Sequence, residues 1–231
     1  MVTTVKDSIK LSKRLEMVAS LVDKNCNCAD IGADHGYLIA SLLSNKIIKK
    51  GYACENKKGP YNRLKENIKQ LNLSNDIITD LSDGISSLPG DFDTVIIAGM
   101  GGDTVCKIIT DSLEKLANIS VFIISSHSKM DEVRILLNKL GYIIKEEKAI
   151  FDVNQFYQVS KFIKGSIKYS EIEYKYGPKL LQQKDSNLLI NLENKILFNN
   201  NLLNNSSLPT DRINQIKAEN VELEEIIKLL K

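Results

Sequence analysis

Asp30, Gly32, Asp34, His35 and Gly36 fall within one ten-residue stretch, ADIGADHGYL (29–38). A chain that leaves a strand and turns into a helix around a nucleotide favours small residues, as in D-x-G-x-G-x-G. Glycine lets the backbone approach a ligand, and the following helix N-terminus offers unpaired amides. Gly32 and Gly36 hold the outer positions, but the middle one is a carboxylate, Asp34. A pyrophosphate would be repelled by that charge, whereas a cationic ligand would not. Three further groups follow down the chain. Glu55, 23 residues beyond Gly32, is placed to accept hydrogens from both hydroxyls of a ribose. Asp83, followed by Gly84 in SDGIS, suits the amino group of an adenine. AGMGG brings Ala98, Gly99, Met100, Gly101 and Gly102 together; its glycines leave space beside a cofactor and Met100 can pack on it. The set points to an adenosine-containing cofactor. The absence of a complete G-x-G-x-x-G argues against a dinucleotide, whose pyrophosphate needs the second close approach. S-adenosylmethionine, a sulfonium without phosphate, tolerates an acidic neighbour.

These residues need a scaffold that gathers strand ends. The segment ending at Asp30, GYACE (51–55), DIITDL (76–81), DTVIIAGM (93–100) and VFIISS (121–126) read as five strands. Helical patterns separate them, from Tyr37, from GPYNRLKENIKQL, from Asp103 to Lys115 and from Asp131 to Leu140. An amphipathic helix over 5–22 precedes them, with Val5, Ile9, Leu11, Leu15, Val18 and Leu21 at roughly helical spacing. Such alternation implies βαβ units, a mainly parallel sheet and ligands at the carboxyl ends of its strands. YIIKEEKAIF and FYQVSKFI, joined by the short turn DVNQ, add a β-hairpin. A nicotinamide-binding Rossmann domain does not normally finish that way, and a class I methyltransferase does. The fold expected is therefore α/β, a class I (Rossmann-like) methyltransferase sheet over 1–165 with a C-terminal β-hairpin. A helical coiled-coil hairpin over 166–231 follows. Its seams are Leu189, Leu192, Ile196 and Leu203, then Ile213, Ile216, Leu223, Ile227 and Leu230. Asn199 and Asn220 interrupt those seams at core positions, and NNSSLPT makes the turn before a helix start at Thr210. No Gly/Pro-rich linker precedes the hairpin, which predicts that it docks on the sheet.

Composition narrows the classes. The chain has 231 residues, 43% hydrophobic, enough for one substantial core. It has no apolar run long enough for a membrane span. The charged, amphipathic start lacks the apolar centre of a signal peptide, so a cytoplasmic protein is expected. Cys26, Cys28, Cys54 and Cys106 lack zinc-site spacing and read as small apolar fillers; no metal is expected. A net charge of +2 neither demands nor excludes a nucleic-acid partner.

LSKRL, ADIGADHGYL, CENKKGPY, SDGIS, IIAGMGG, FYQV and YGPKL together resemble the bacterial tRNA adenine-N1 methyltransferases that act on adenine 22. The resemblance runs from about residue 10 to 181. It implies a class I methyltransferase fold, S-adenosylmethionine as donor and tRNA as acceptor; no membrane is expected and no protein partner is implied. On the matching positions it implies Asp34 in the active site. Asp30, Gly32, Glu55, Asp83, Gly84, Ala98, Gly99, Met100, Gly101 and Gly102 would surround the cofactor, and Arg14 and Tyr37 would face the substrate. The family usually carries Gln-Pro-Asn after strand five, where this chain has Ser125, Ser126 and His127.

Adenine N1 has an in-plane lone pair and needs no prior deprotonation to attack a methyl sulfonium. In-line approach and tolerance of the charge arriving on the base are the requirements. Asp34 near the exocyclic amine would meet the second; the alternative is a turn-stabilising Asp in a left-handed conformation. His35 reads as a structural hydrogen-bonder or a proton shuttle, and Tyr37 as a base-stacking ring or a space filler. Lys6, Lys10, Lys13 and Arg14 share one helix and could meet phosphates or form a solvated face. The helical hairpin would grip the tRNA body or self-associate. Three classes follow: a tRNA adenine-N1 methyltransferase, a methyltransferase on another RNA or small molecule, and a non-catalytic RNA-binding module on the same fold.

Overall fold

The computed structural model describes residues 9–204 and 208–231. Seven strands form one sheet: β1 (Asn27–Ile31), β2 (Lys50–Glu55), β3 (Ile77–Leu81), β4 (Thr94–Met100), β5 (Val121–Ser126), β6 (Tyr142–Asp152) and β7 (Gln155–Lys164). Their order is β3-β2-β1-β4-β5-β7-β6. The first five run parallel, and β7 inserts antiparallel between β5 and β6. The apolar runs of β4 and β5 bury alternate residues on opposite faces, as a sheet covered on both sides requires. Val95, Ile97, Phe122 and Ile124 enter one core, and Ile96, Val121 and Ile123 the other. The chain order reverses between β1 and β4, which opens the binding crevice at their carboxyl ends.

Helices α1 (Lys13–Ala19), α2 (Tyr37–Ser44), α3 (Lys58–Gln70), α4 (Gly102–Thr110) and α5 (Met130–Lys139) cover the sheet. The first is shorter than its apolar spacing predicts. Ser12 Oγ accepts from the Leu15 amide at 3.3 Å and starts the helix there, while Ile9 and Leu11 pack from irregular chain. Val5 and Lys6 of that expected helix lie outside the described residues. The helix expected from Asp103 to Lys115 divides into α4 and a 3-10 turn at Leu113–Lys115. The hairpin turn is tighter than DVNQ implies: only Val153 (φ 48°) and Asn154 (φ 62°) lie between the strands.

Beyond the sheet, α6 (Glu171–Tyr176) and α7 (Pro178–Gln182) were not separately expected. A capping box at Ser170 and Glu173 starts α6, and Pro178 occupies the first turn of α7. Then α8 (Ser186–Leu203) and α9 (Thr210–Leu230) pack on each other and on β6. Part of the expected turn between them, 205–207, lies outside the described residues. Leu188, Leu192, Leu223, Ile226, Ile227 and Leu230 share a small core with Tyr176, Leu180 and Ala149 of β6. Asn199 is buried in the pair, and its Nδ2 donates to Glu219 Oε2 and Asn220 Oδ1, both at 2.8 Å. An ion pair anchors the helical region. Arg134 Nε on α5 donates to Glu147 Oε1 on β6 at 2.9 Å, both side chains fully buried. Arg134 Nη1 also donates to the α6 carbonyl of Tyr174, and Glu147 Oε2 accepts from the Lys179 amide of α7.

Candidate cofactor and active site

Two cavities meet at Gly32, at the carboxyl ends of the strands. The larger, about 230 Å³, is walled by Arg14, Asp30, Asp34, His35, Tyr37 and Gly99, among others. The smaller, about 50 Å³, is walled by Glu55, Asn56, Asp83, Gly84, Met100 and Thr104, among others. Gly32 has φ +73°, and a Cβ there would collide with Met100 Cε, which lies across the junction. Both conditions demand glycine at this point.

On the smaller side, Glu55 ends β2 as expected. One of its oxygens is already engaged, since Oε1 accepts from the Asp34 amide at 2.6 Å. That leaves fewer free acceptor positions on Glu55 than the sequence suggests. Asp83 Oδ1 accepts from Asn56 Nδ2 at 3.2 Å. Asn56 was not singled out from sequence, although it directly follows Glu55.

On the larger side, Asp30 is 4% exposed. Burial, with the Glu55 carboxylate adding to it and Arg14 opposing, pushes its carboxyl up to about 7. Asp34 has φ +49°, the left-handed geometry of a turn residue. Its carboxylate is well exposed, 3.7 Å from Arg63 Nη2 and 3.6 Å from His35 Nε2. The His35 ring stacks on Tyr37, with centroids 5.5 Å apart and planes 12° apart. Asn67 Nδ2 donates to the His35 carbonyl, so His35 is held to α3.

Arg14 differs in burial from the lysines that precede it. Lys10 and Lys13 are exposed, but Arg14 turns inward, with its Cζ 5.5 Å from the Tyr157 ring centroid. A Cβ built on Gly99 would lie 3.4 Å from Arg14 Nη1 and 3.8 Å from His127 Nε2. Arg14 Nη1 is buried and has no hydrogen-bond partner among the described residues. Tyr157 and His127 thus join the rim of the site. FYQV was the only sequence signal for the former, and His127 had no assigned role.

AGMGG divides. Ala98 and Gly99 wall the larger cavity and Met100 the smaller. Gly102 has a packing reason instead: a Cβ would come within 2.6 Å of the Lys129 carbonyl, and its amide donates to the Ser128 carbonyl. Gly101 lies beside Ser128 Oγ in the same contact. The loop after β5 is internally bonded as well. Ser125 Oγ donates to the Gln158 carbonyl and Ser126 Oγ to the Met100 and Ser128 carbonyls, while His127, Ser128 and Lys129 are exposed.

Residues 11–160 match the family model described as a methyltransferase domain. The chain belongs to this methyltransferase family. Within the family it is 29% identical over 154 residues to the tRNA (adenine(22)-N(1))-methyltransferase of Bacillus subtilis, covering 66% of this chain and 65% of that protein. The match thus spans slightly under two thirds of that relative. Among solved structures it resembles M. capricolum TrmK in complex with S-adenosyl-homocysteine, at 29% identity and TM-score 0.84, covering 96% of this chain and 99% of that one. It also resembles a Streptococcus pneumoniae methyltransferase in complex with S-adenosyl-L-methionine, at 27% identity and TM-score 0.87, covering 94% and 100%. No group of three or more His, Cys, Asp or Glu side chains among the described residues could hold a metal ion. No helix among them is long and apolar enough to cross a membrane.

Proposed function

We propose that this protein transfers a methyl group from S-adenosylmethionine to N1 of adenine 22 in tRNA, acting in the cytoplasm. The observation that carries the reading is the pair of cavities joined at Gly32, built by a member of a methyltransferase family. Its substrate follows the relatives named for that reaction. The groups present fit the donor. Glu55 and Asp83 offer acceptors for ribose hydroxyls and an adenine amine, Gly32 and Gly99 give backbone clearance, and the unpartnered Arg14 Nη1 awaits an acceptor. When bound, the cofactor supplies an electrophilic methyl group on a sulfonium.

The chain's own residues then have three tasks. Asp34, at the mouth of the larger cavity, orients the exocyclic amine and offsets the positive charge arriving on the base. The stacked His35 and Tyr37 rings offer a face for a base drawn out of its helix, where N1 would otherwise be paired. Arg14, with the Tyr157 ring beside its guanidinium, lines and shapes the larger cavity.

The test is mass mapping of nucleosides after incubation with an unmodified tRNA transcript. The expected product is 1-methyladenosine at position 22, absent when that base is replaced by guanine. Methylation of a different nucleoside would transfer the reading to another acceptor, and His127 in the loop after β5 would then be the first residue to examine.

A further inference from the structure

We propose that the tip of the β6–β7 hairpin, Val153 and Asn154, is an RNA wedge: the Val153 side chain enters the base stack beside the target adenine and fills the gap that this base leaves. The proposal rests on the reading of tRNA as the acceptor, and it gives the turn a task separate from cofactor binding and chemistry.

Strain and exposure at one residue carry it. Val153 is 92% exposed, the highest value among the exposed large apolar side chains of the described residues. Its backbone lies at φ +48° and that of Asn154 at φ +62°, the left-handed pair that a two-residue type I′ turn demands. Asparagine and glycine suit such positions, whereas a β-branched residue there is an outlier that costs stability. The strands enforce it. Asp152 pairs with Gln155 and Phe151 with Phe156, whose rings lie 5.6 Å apart, so the ladder leaves no room for a wider turn. Val153 gains no packing in return for its strain. Strain of this kind, held in place by its surroundings, marks a contact made outside the chain.

Placement agrees. β7 runs antiparallel to β5, so it starts at the carboxyl ends of the parallel strands, the side that holds the two cavities. Tyr157 marks the rim there, its ring beside His127 and Arg14. From Tyr157 the strand runs three residues on to Asn154, which sets the tip roughly 10 Å beyond the rim. An RNA helix laid over the larger cavity would meet it. The chemistry of the tip then selects what it touches. Asp152, Val153, Asn154 and Gln155 bring no cation, so a backbone phosphate finds no counter-charge. An apolar branch suits the space between stacked bases, and the Asn154 amide can bond a base edge laid open beside it. Drawing a base out of its stack is costly, and a side chain that fills the gap offsets part of that cost.

The test compares Val153→Asn and Val153→Gly, which remove the wedge and suit the left-handed turn, with Val153→Leu, which keeps an apolar side chain. The first two should hold or raise the thermal midpoint and leave S-adenosylhomocysteine affinity within about twofold of wild type, since the tip walls neither cavity. Single-turnover methyl transfer to a tRNA transcript should fall roughly tenfold in both, while Val153→Leu keeps most of the rate. The loss should vanish on a transcript with an abasic residue in place of the nucleotide that pairs with the target, because that base leaves its helix at less cost. A 2-aminopurine placed next to the target reports the insertion itself: its fluorescence should rise when wild-type protein binds and stay flat with Val153→Gly. Wild-type rates from the asparagine and glycine variants on the intact transcript would overturn the proposal. So would an equal loss on both transcripts, which would make the tip a general contact with the tRNA body. Unchanged methylation with a changed sedimentation coefficient would assign the tip to contacts between copies of the chain instead. A wild-type protein that methylates neither transcript overturns the acceptor reading and the wedge with it, whereas methylation that the variants match overturns the wedge alone.

Discussion

Asp30 and Asp34 sit four residues apart and face the same cavity, yet their surroundings give them opposite characters. Asp30 is buried beside Glu55 on β2 and Arg14 on α1, with the thiols of Cys28 and Cys54 nearby, both held neutral by upward shifts. Its carboxyl titrates near 7, against an ordinary value of 3.8. A folded value above the unfolded one means a contribution to stability that is complete below pH 3.8 and lost as pH rises through about 7. The unliganded protein is therefore expected to lose thermal midpoint between about pH 4 and 7 on this residue's account, and Asp30→Asn should flatten the profile. A ligand ammonium favours the ionised form, so S-adenosylhomocysteine affinity should rise through the same window, with proton release near neutrality. Titrations in two buffers of different ionisation enthalpy measure that release; none detected would count against an ammonium beside Asp30. Asp34 is exposed, and its left-handed backbone suits asparagine equally well. If it only shapes the turn, Asp34→Asn is nearly silent. If it stabilises charge on the base, single-turnover methyl transfer should fall roughly a hundredfold while cofactor affinity holds. Near wild-type turnover would return Asp34 to a turn role. The acidic groups were legible because their types and strand-end spacing are local properties. The inward turn of Arg14 was not, because it depends on neighbours far away in sequence, the Tyr157 ring and the backbone at Gly99.

Among the elements, the sheet was the easiest to read. Its apolar runs and intervening helical periods are each local, and the hairpin after the fifth strand was legible too, although not the insertion of β7 between β5 and β6. The extra helices α6 and α7 were hidden because their few apolar residues make no period of their own. They are held instead by contacts distant in sequence, Arg134 to the α6 carbonyls and Glu147 to the Lys179 amide. That joint gives an element-scale prediction. Glu147→Gln leaves Arg134 buried without its counter-charge and turns an amide NH2 toward groups that are themselves donors, Ser160 Oγ among them. Breaking one side of such a pair costs about 3–5 kcal/mol. For a chain of this size, that lowers the thermal midpoint by roughly 10 °C. Denaturant unfolding should show the loss directly, and a change under about 1 kcal/mol would mean that the joint relaxes around the substitution.

At the scale of the whole molecule, the residues walling the two cavities all lie before residue 109, and the α8–α9 pair contributes none of them. Among the described residues, the pair meets the rest of the chain through the small core around Ala149 and Tyr176, the Asn187 bond to the Ala149 carbonyl, and ion pairs such as Lys175 on α6 with Glu222. A small cofactor therefore has no direct need of these helices, whereas a tRNA is large enough to touch them while its base enters the site. Deleting residues 185–231 should leave S-adenosylhomocysteine affinity within about threefold of the full chain. Catalytic efficiency on tRNA should fall at least roughly tenfold, as when several phosphate contacts are lost together. The cut also uncovers Tyr176 and Leu180, so some thermal stability is lost, and cofactor binding at the assay temperature serves as the check that the sheet remains folded. Full activity on tRNA with the helices removed would assign them to contacts between copies of the chain instead, a difference that sedimentation of the two proteins would resolve.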